Sequence, residues 1–170
     1  TWAAGLQAVL DPDLDRSGLR LSRLAVADQR PEMEFNYALD GASLMRLREA
    51  CAKAGFPDMV PARHATLAGL MNGKIDLVFR HDGRFHLLDW KGNLGANDGS
   101  ALEDYAPAAL EEKIDGHRYR FQALLYAVAL ERYLKSRLGS AYQRGKHLGD
   151  CWYVFIRAAG LRLPDGTACG

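Results

Sequence analysis

The run Gly73-Lys-Ile-Asp-Leu-Val-Phe-Arg-His-Asp-Gly-Arg-Phe-His-Leu-Leu-Asp-Trp-Lys91 holds two stretches rich in Ile, Leu, Val and Phe on either side of Asp82-Gly83. Such stretches read as strands, here over residues 73–80 and 84–91. Asp-Gly between them favours a two-residue type I′ hairpin turn. With that turn, residues equidistant from it face one another: His81 meets Arg84, Phe79 meets His86, and Asp76 falls opposite Asp89.

That last pairing carries chemistry. Side chains directly opposite on one sheet face sit about 4.5–5.5 Å apart at Cβ, and like charges there repel. Both acids stand in otherwise apolar strands, where an unpaired carboxylate is costly to bury. A divalent cation between them turns repulsion into coordination. Mg²⁺ suits the position, because it takes one or two carboxylates and keeps waters for a phosphate substrate. Lys91, two residues beyond Asp89, falls on the same face by strand alternation. An ammonium there can orient a water or stabilise charge developing on phosphate. The plainer alternative makes Asp76 and Asp89 strand-end residues that pair with Lys74 and Lys91. Register decides between the two, since a longer loop would separate the acids.

Outward from the hairpin, residues 21–26 and 33–39 read as short strands joined by a turn at Gln29-Arg30-Pro31. A helix is predicted over 43–54, with Ser43 as N-cap and Gly55 just past its end. Residues 93–100 are loop chemistry, carrying Gly95 and Gly99. A helix from about Leu102 follows, then a longer one over 117–138. In it Phe121, Leu124, Leu125 and Val128, at i, i+3, i+4 and i+7, mark the core stripe, with Tyr119, Gln122 and Tyr126 beside it. The apolar run 151–157 reads as a buried strand with Trp152 in the core. Strands, then helices, then a strand describe an α/β or α+β layered domain.

The 170 residues suit one domain, 1–170, with a single sizeable core. The start, Thr1-Trp2-Ala3-Ala4-Gly5, has neither an initiator Met nor a signal pattern and reads as a piece of a longer chain. No apolar run approaches the roughly 18–20 residues of a membrane span. Cys51, Cys151 and Cys169 are scattered, with no disulfide framework, which points to a reducing cytoplasm. They are also one short of a Cys₄ iron–sulfur site. Net charge is only +1, but the charges are segregated. Residues 96–112 hold five acids and no Lys or Arg, whereas residues 113–147 hold eight bases against Asp115 and Glu131. The second stretch is either an electrostatic footprint for phosphate or a solvated helix face.

Several of these motifs together resemble the PD-(D/E)XK nucleases, and more closely the RecB-type C-terminal nuclease domains of exodeoxyribonuclease V beta subunits. The resemblance is carried by Gly73-Lys-Ile-Asp-Leu-Val-Phe79 and Leu88-Asp-Trp-Lys-Gly-Asn93. It continues through His117-Arg-Tyr-Arg-Phe-Gln-Ala-Leu-Leu-Tyr126, similar to that family's Gln-xxx-Tyr helix, and Ala129-Leu-Glu-Arg-Tyr-Leu134. His147-Leu-Gly, then Tyr153-Val-Phe, extend it, and Pro31-Glu-Met-Glu-Phe35 resembles the strand before the core. It implies an α/β fold with a restriction-endonuclease-like mixed central sheet flanked by helices. It also implies Mg²⁺-dependent exonucleolytic hydrolysis of DNA phosphodiesters. Asp76 and Asp89 match the metal-binding acids, with the Trp90 backbone carbonyl as a further ligand, and Lys91 matches the catalytic lysine. Gln122 and Tyr126 match the helix motif near the scissile DNA strand, and Tyr119 joins their helix face.

The partners implied are DNA, a helicase domain of the same subunit and a RecC-like subunit, in a cytoplasmic RecBCD-like helicase–nuclease of double-strand break repair. There are departures. A metal-binding His that such domains carry on an upstream helix has no match here, so the isolated chain is expected to be weak or inactive. His64, in Pro61-Ala-Arg-His64, is a poor substitute, and His147-Leu-Gly-Asp150 lacks the family's second Gly. A different class of function is a catalytically silent DNA-binding or docking domain of the same complex. Retention of Asp76, Asp89 and Lys91 together argues against it. Another metal-dependent phosphodiesterase is a third reading, disfavoured because hairpin and helix motif point to one family. Glu32 and Glu34 alternate to one strand face and are expected at the surface, as are His81 and His86 beside the turn.

Overall fold

The computed structural model describes residues 2–14, 18–60 and 66–170, with backbone only at 2, 39–43 and 66–68. Helix α1 (Trp2–Leu10) leads through 3-10 turns at Leu21–Arg23 and Val26–Asp28 into β1 (Gln29–Ser43). Then come α2 (Leu44–Lys53), β2 (Thr66–His81), β3 (Arg84–Lys91), α3 (Pro107–Gly116), α4 (Tyr119–Leu138), α5 (Arg144–His147) and β4 (Leu148–Phe155). The strands form one sheet in the order β1-β2-β3-β4. Its first three strands run antiparallel and β4 lies parallel to β3. This is the expected mixed sheet flanked by helices, an α/β restriction-endonuclease-like architecture. No described helix is long and apolar enough to cross a membrane.

The hairpin closes as its turn chemistry requires. Asp82 and Gly83 have φ of 47° and 77°, both positive as a type I′ turn demands. The ladder then runs His81↔Arg84, Arg80↔Phe85, Phe79↔His86, Val78↔Leu87 and Leu77↔Leu88. Alternation sends Leu77, Phe79 and Leu88 to one sheet face, where Leu19, Leu21 and Val154 join them under α1. Val78 and Leu87 point to the other face, against Leu130 and Leu134 of α4. The core is thus one layer of apolar side chains on each side of the sheet.

Three sequence expectations are corrected. Residues 21–26 are not a strand. Leu21 is buried and Leu24 packs beside it at i+3, the 3-10 repeat, while Val26 is 87% exposed. Gln29-Arg30-Pro31 is not a turn but the start of β1, with Pro31 across from Leu77. Because β1 is an edge strand, the missing proline N–H need not break a ladder. On α4 the sheet-facing stripe is Tyr126, Leu130 and Leu134 rather than the predicted one. Phe121 and Leu124 instead pack toward Leu44, Cys51 and Val60, and Val128 is 38% exposed. That helix begins at Tyr119, where Arg118 adopts a left-handed conformation at φ 58° and turns the chain out of α3. Gly55, just past α2, has the positive φ of a helix C-terminal glycine. The predicted cap, the Ser43 side chain, lies outside the described residues.

Candidate active site at the open end of the hairpin

The sheet forks just beyond Leu77↔Leu88. From there β2 continues only with β1, through Met33↔Ile75 and Glu34↔Lys74, while β3 continues with β4, through Asp89↔Tyr153 and Lys91↔Phe155. Asp76 sits at the crotch. On its other flank stands Glu32, whose φ of 54° interrupts pairing between Pro31↔Leu77 and Met33↔Ile75. A non-glycine residue held there costs on the order of 1–3 kcal/mol. Freed from both ladders, Asp76 uses its carboxylate Oδ2 to accept the Trp90 backbone N–H at 2.8 Å. The two acids are therefore brought together as the turn predicted, with Asp76 bonded across the fork to the residue after Asp89.

Asp89 and Lys91 project toward α4 and are buried, at 5% and 7% exposure. The Lys91 ammonium lies 2.6 Å from Asp89 Oδ2 and donates to Gln122 Oε1 at 3.0 Å. It also sits 3.9 Å from the Tyr119 ring centre and 4.8 Å from that of Tyr153. Gln122 in turn donates to the Tyr126 hydroxyl at 2.9 Å. Burial raises the Asp89 pKa, the Lys91 hydrogen bond and charge oppose that rise, and Asp76 adds to it. A buried carboxylate pushed upward in this way gains from additional positive charge nearby.

One oxygen of each carboxylate is committed, to Trp90 or to Lys91, and the other takes no hydrogen bond from the described residues. Two carboxylates beside a backbone carbonyl form a hard oxygen donor set, which fits Mg²⁺ better than a thiolate- or imidazole-seeking metal. Among the described residues no further His, Cys, Asp or Glu completes a three-side-chain metal cluster. His64 lies outside them.

The chain shows 34% identity to the RecBCD enzyme subunit RecB of Escherichia coli K12 over 166 residues, 94% of this chain and 14% of that protein. Haemophilus influenzae RecB is 34% identical over 88% of the chain, and Mycolicibacterium smegmatis RecB 32% identical over 90%. The chain belongs to the RecB family. It spans 12–16% of the length of these RecB relatives. No family model matches it.

In this RecB-type chain the helix-motif residues Tyr119, Gln122 and Tyr126 turn inward and surround Lys91, which their spacing alone did not reveal. Tyr153 completes the enclosure, and the sequence reading passed it over as part of an apolar strand. The available signal was a tyrosine in a buried strand, whose hydroxyl needs a partner. The basic stretch 113–147 is less available than its composition suggests. Arg120 pairs with Glu111 and Asp115, Lys135 and Arg144 with Glu131, and Arg132 and Arg137 lie over Tyr37 and Tyr133. Glu32 and Glu34 are exposed, as expected, and Glu32 pairs with Lys74.

His86, expected in solvent, is instead buried. It stacks on Phe79 at 5.1 Å and accepts the Asp150 N–H at 3.0 Å. Gly149 makes room for it, since a Cβ there would come within 2.5 Å of its Nδ1. The loop after Lys91 is also ordered from within. Buried Asp104 accepts from the Asn97 side chain at 2.6 Å and from the Ala101 N–H at 3.3 Å, and Lys113 donates to the Gly95 carbonyl at 3.0 Å. All three cysteines are free, and burial pushes the Cys151 thiol up to about 12, leaving it unreactive near neutral pH.

Proposed function

We propose that this RecB-type chain is a nuclease domain that hydrolyses DNA phosphodiesters with Mg²⁺, acting as an exonuclease within a RecBCD-like helicase–nuclease of double-strand break repair. DNA is then the substrate, and the helicase part of the subunit and a RecC-like subunit are its neighbours. The observation that supports this reading is the buried Asp89–Lys91 pair beside Asp76 at the fork, where each acid keeps one oxygen uncommitted. Burying charge at such a cost is characteristic of reacting centres.

In this mechanism Asp76, Asp89 and the Trp90 carbonyl hold the Mg²⁺, which when bound supplies Lewis-acid polarisation of a phosphoryl oxygen. Lys91 orients the attacking water and offsets charge building on the phosphate. Its direction is fixed beforehand by Gln122 and the tyrosine rings, so little reorganisation accompanies the reaction. Tyr119, Gln122 and Tyr126 form the helix edge along which the scissile strand lies. Calorimetric titration with Mg²⁺, beside cleavage of end-labelled linear DNA, tests the assignment on wild type and Asp89→Ala. Wild type should bind the ion and cleave only in its presence, and the variant should do neither. Undiminished Mg²⁺ binding by Asp89→Ala would refute the metal site. DNA binding without cleavage by wild type would favour the silent docking role.

A further inference from the structure

Tyr153 reaches the same centre from the opposite side of α4's first turn, and nothing in the mechanism above uses it. The parallel register pairs it with Asp89, so β4 delivers its side chain beside that carboxylate. Its ring stacks on Tyr119 with centres 5.3 Å apart, and both rings lie within cation–π reach of the Lys91 ammonium. Its hydroxyl donates to the Tyr119 backbone carbonyl at 2.6 Å and lies 3.3 Å from Gln122 Oε1, the oxygen that accepts from Lys91. One side chain thus touches three of the groups that fix the lysine. It belongs to β4, whereas those groups come from β3 and α4. Burial raises its pKa, so the hydroxyl keeps the proton it donates.

We propose that Tyr153 is a positioning residue for Lys91. Its ring and that of Tyr119 cradle the ammonium, and its hydroxyl fastens the first turn of α4 so that Gln122 meets the same ammonium. The role is indirect, since Tyr153 acts on the reaction only through the lysine. It rests on the nuclease reading for its consequence in rate, but not for its geometry.

Two substitutions separate ring from hydroxyl. Tyr153→Phe keeps the platform and loses the fastening, and should lower kcat about tenfold with little change in KM. Tyr153→Leu loses both and should lower it about a hundredfold, the scale on which small misplacements of a reacting group are felt. The deciding measurement repeats both substitutions in a Lys91→Ala background. If Tyr153 works through Lys91, neither should lower the residual rate by more than about twofold, because coupled residues are non-additive. Equal losses in both backgrounds would make Tyr153 a mere structural residue and overturn the proposal.

A readout independent of cleavage is the NMR shift of the Lys91 ε-methylene. The two rings should shield it in wild type, and Tyr153→Leu should move it toward the value of a free lysine. Should wild type cleave no DNA, the nuclease reading falls and this shift alone judges the clamp. An unshielded ε-methylene in wild type would end it. Should Tyr153→Leu fail to fold, the Tyr153→Phe cycle with Lys91→Ala decides.

Discussion

The two ends of the β2–β3 hairpin are made from the same pair of strands and behave oppositely. At the turn end the ladder is regular, both turn residues have positive φ, and exposed Arg80 reaches out to pair with Asp28. At the open end the ladder stops, β2 and β3 leave with different neighbours, and an acid–base pair is buried where pairing has lapsed. The lesson is a division of labour. The regular end sets register, and the irregular end, placed by that register, is free to aim polar groups that a continuous sheet would not tolerate.

Perturbations along the hairpin should therefore differ in kind. At the open end Lys91→Ala is expected to lower cleavage by about a hundredfold or more while DNA affinity changes little, which rate and binding assays on one preparation would show. The same substitution strands Asp89 in the interior, so unfolding should also become easier by roughly 3 kcal/mol, less so with Mg²⁺ present. A variant that cleaves normally but binds DNA poorly would recast Lys91 as a docking residue. In the middle of the hairpin, Gly149→Ala drives a methyl into His86 and should cost about 2 kcal/mol in denaturant unfolding. An unchanged midpoint would mean that β4 moves freely against β3. At the turn, Gly83→Ala meets no neighbour within 4 Å and must only bear φ 77°, for about 1 kcal/mol. A much larger loss would show that the turn, not the strands, holds the register.

The smallest effect concerns pH. Burial holds the His86 pKa below its ordinary value of 6.5. Below about that pH the unfolded chain takes up a proton that the folded chain refuses, so stability present at neutral pH should fall as the solution is acidified. Denaturant midpoints at several pH values in wild type and His86→Gln would reveal the difference. A wild-type midpoint that rises on acidification would contradict it.

What could be read from the sequence follows the same division. Asp82-Gly83 dictates its own dihedral angles, and every pair up to Leu77↔Leu88 follows from local chemistry. The partnership of Asp76, Asp89 and Lys91 came with it. The tertiary environment was less legible. On α4 the ion-pair enclosure occupies the sheet-facing side, so Tyr119 and Gln122 stand where an apolar stripe is normally sought, and periodicity favoured Phe121, Leu124, Leu125 and Val128 instead. Leu21 and Leu24 satisfy a 3-10 spacing within a run short enough to pass for a strand. Tyr153 acquires its importance from a parallel pairing with β3, which no local pattern encodes.

The kink at Glu32 has a consequence beyond the site. It lies in β1, at the open margin of the sheet, next to a proline that offers no N–H and a Glu32–Lys74 ion pair 2.6 Å long. A stretch of margin so bent, short of donors and charged is a poor template for a strand from another molecule. The residue that leaves Asp76 unpaired thereby also helps to keep neighbouring copies of the protein from zipping together, and so favours solubility.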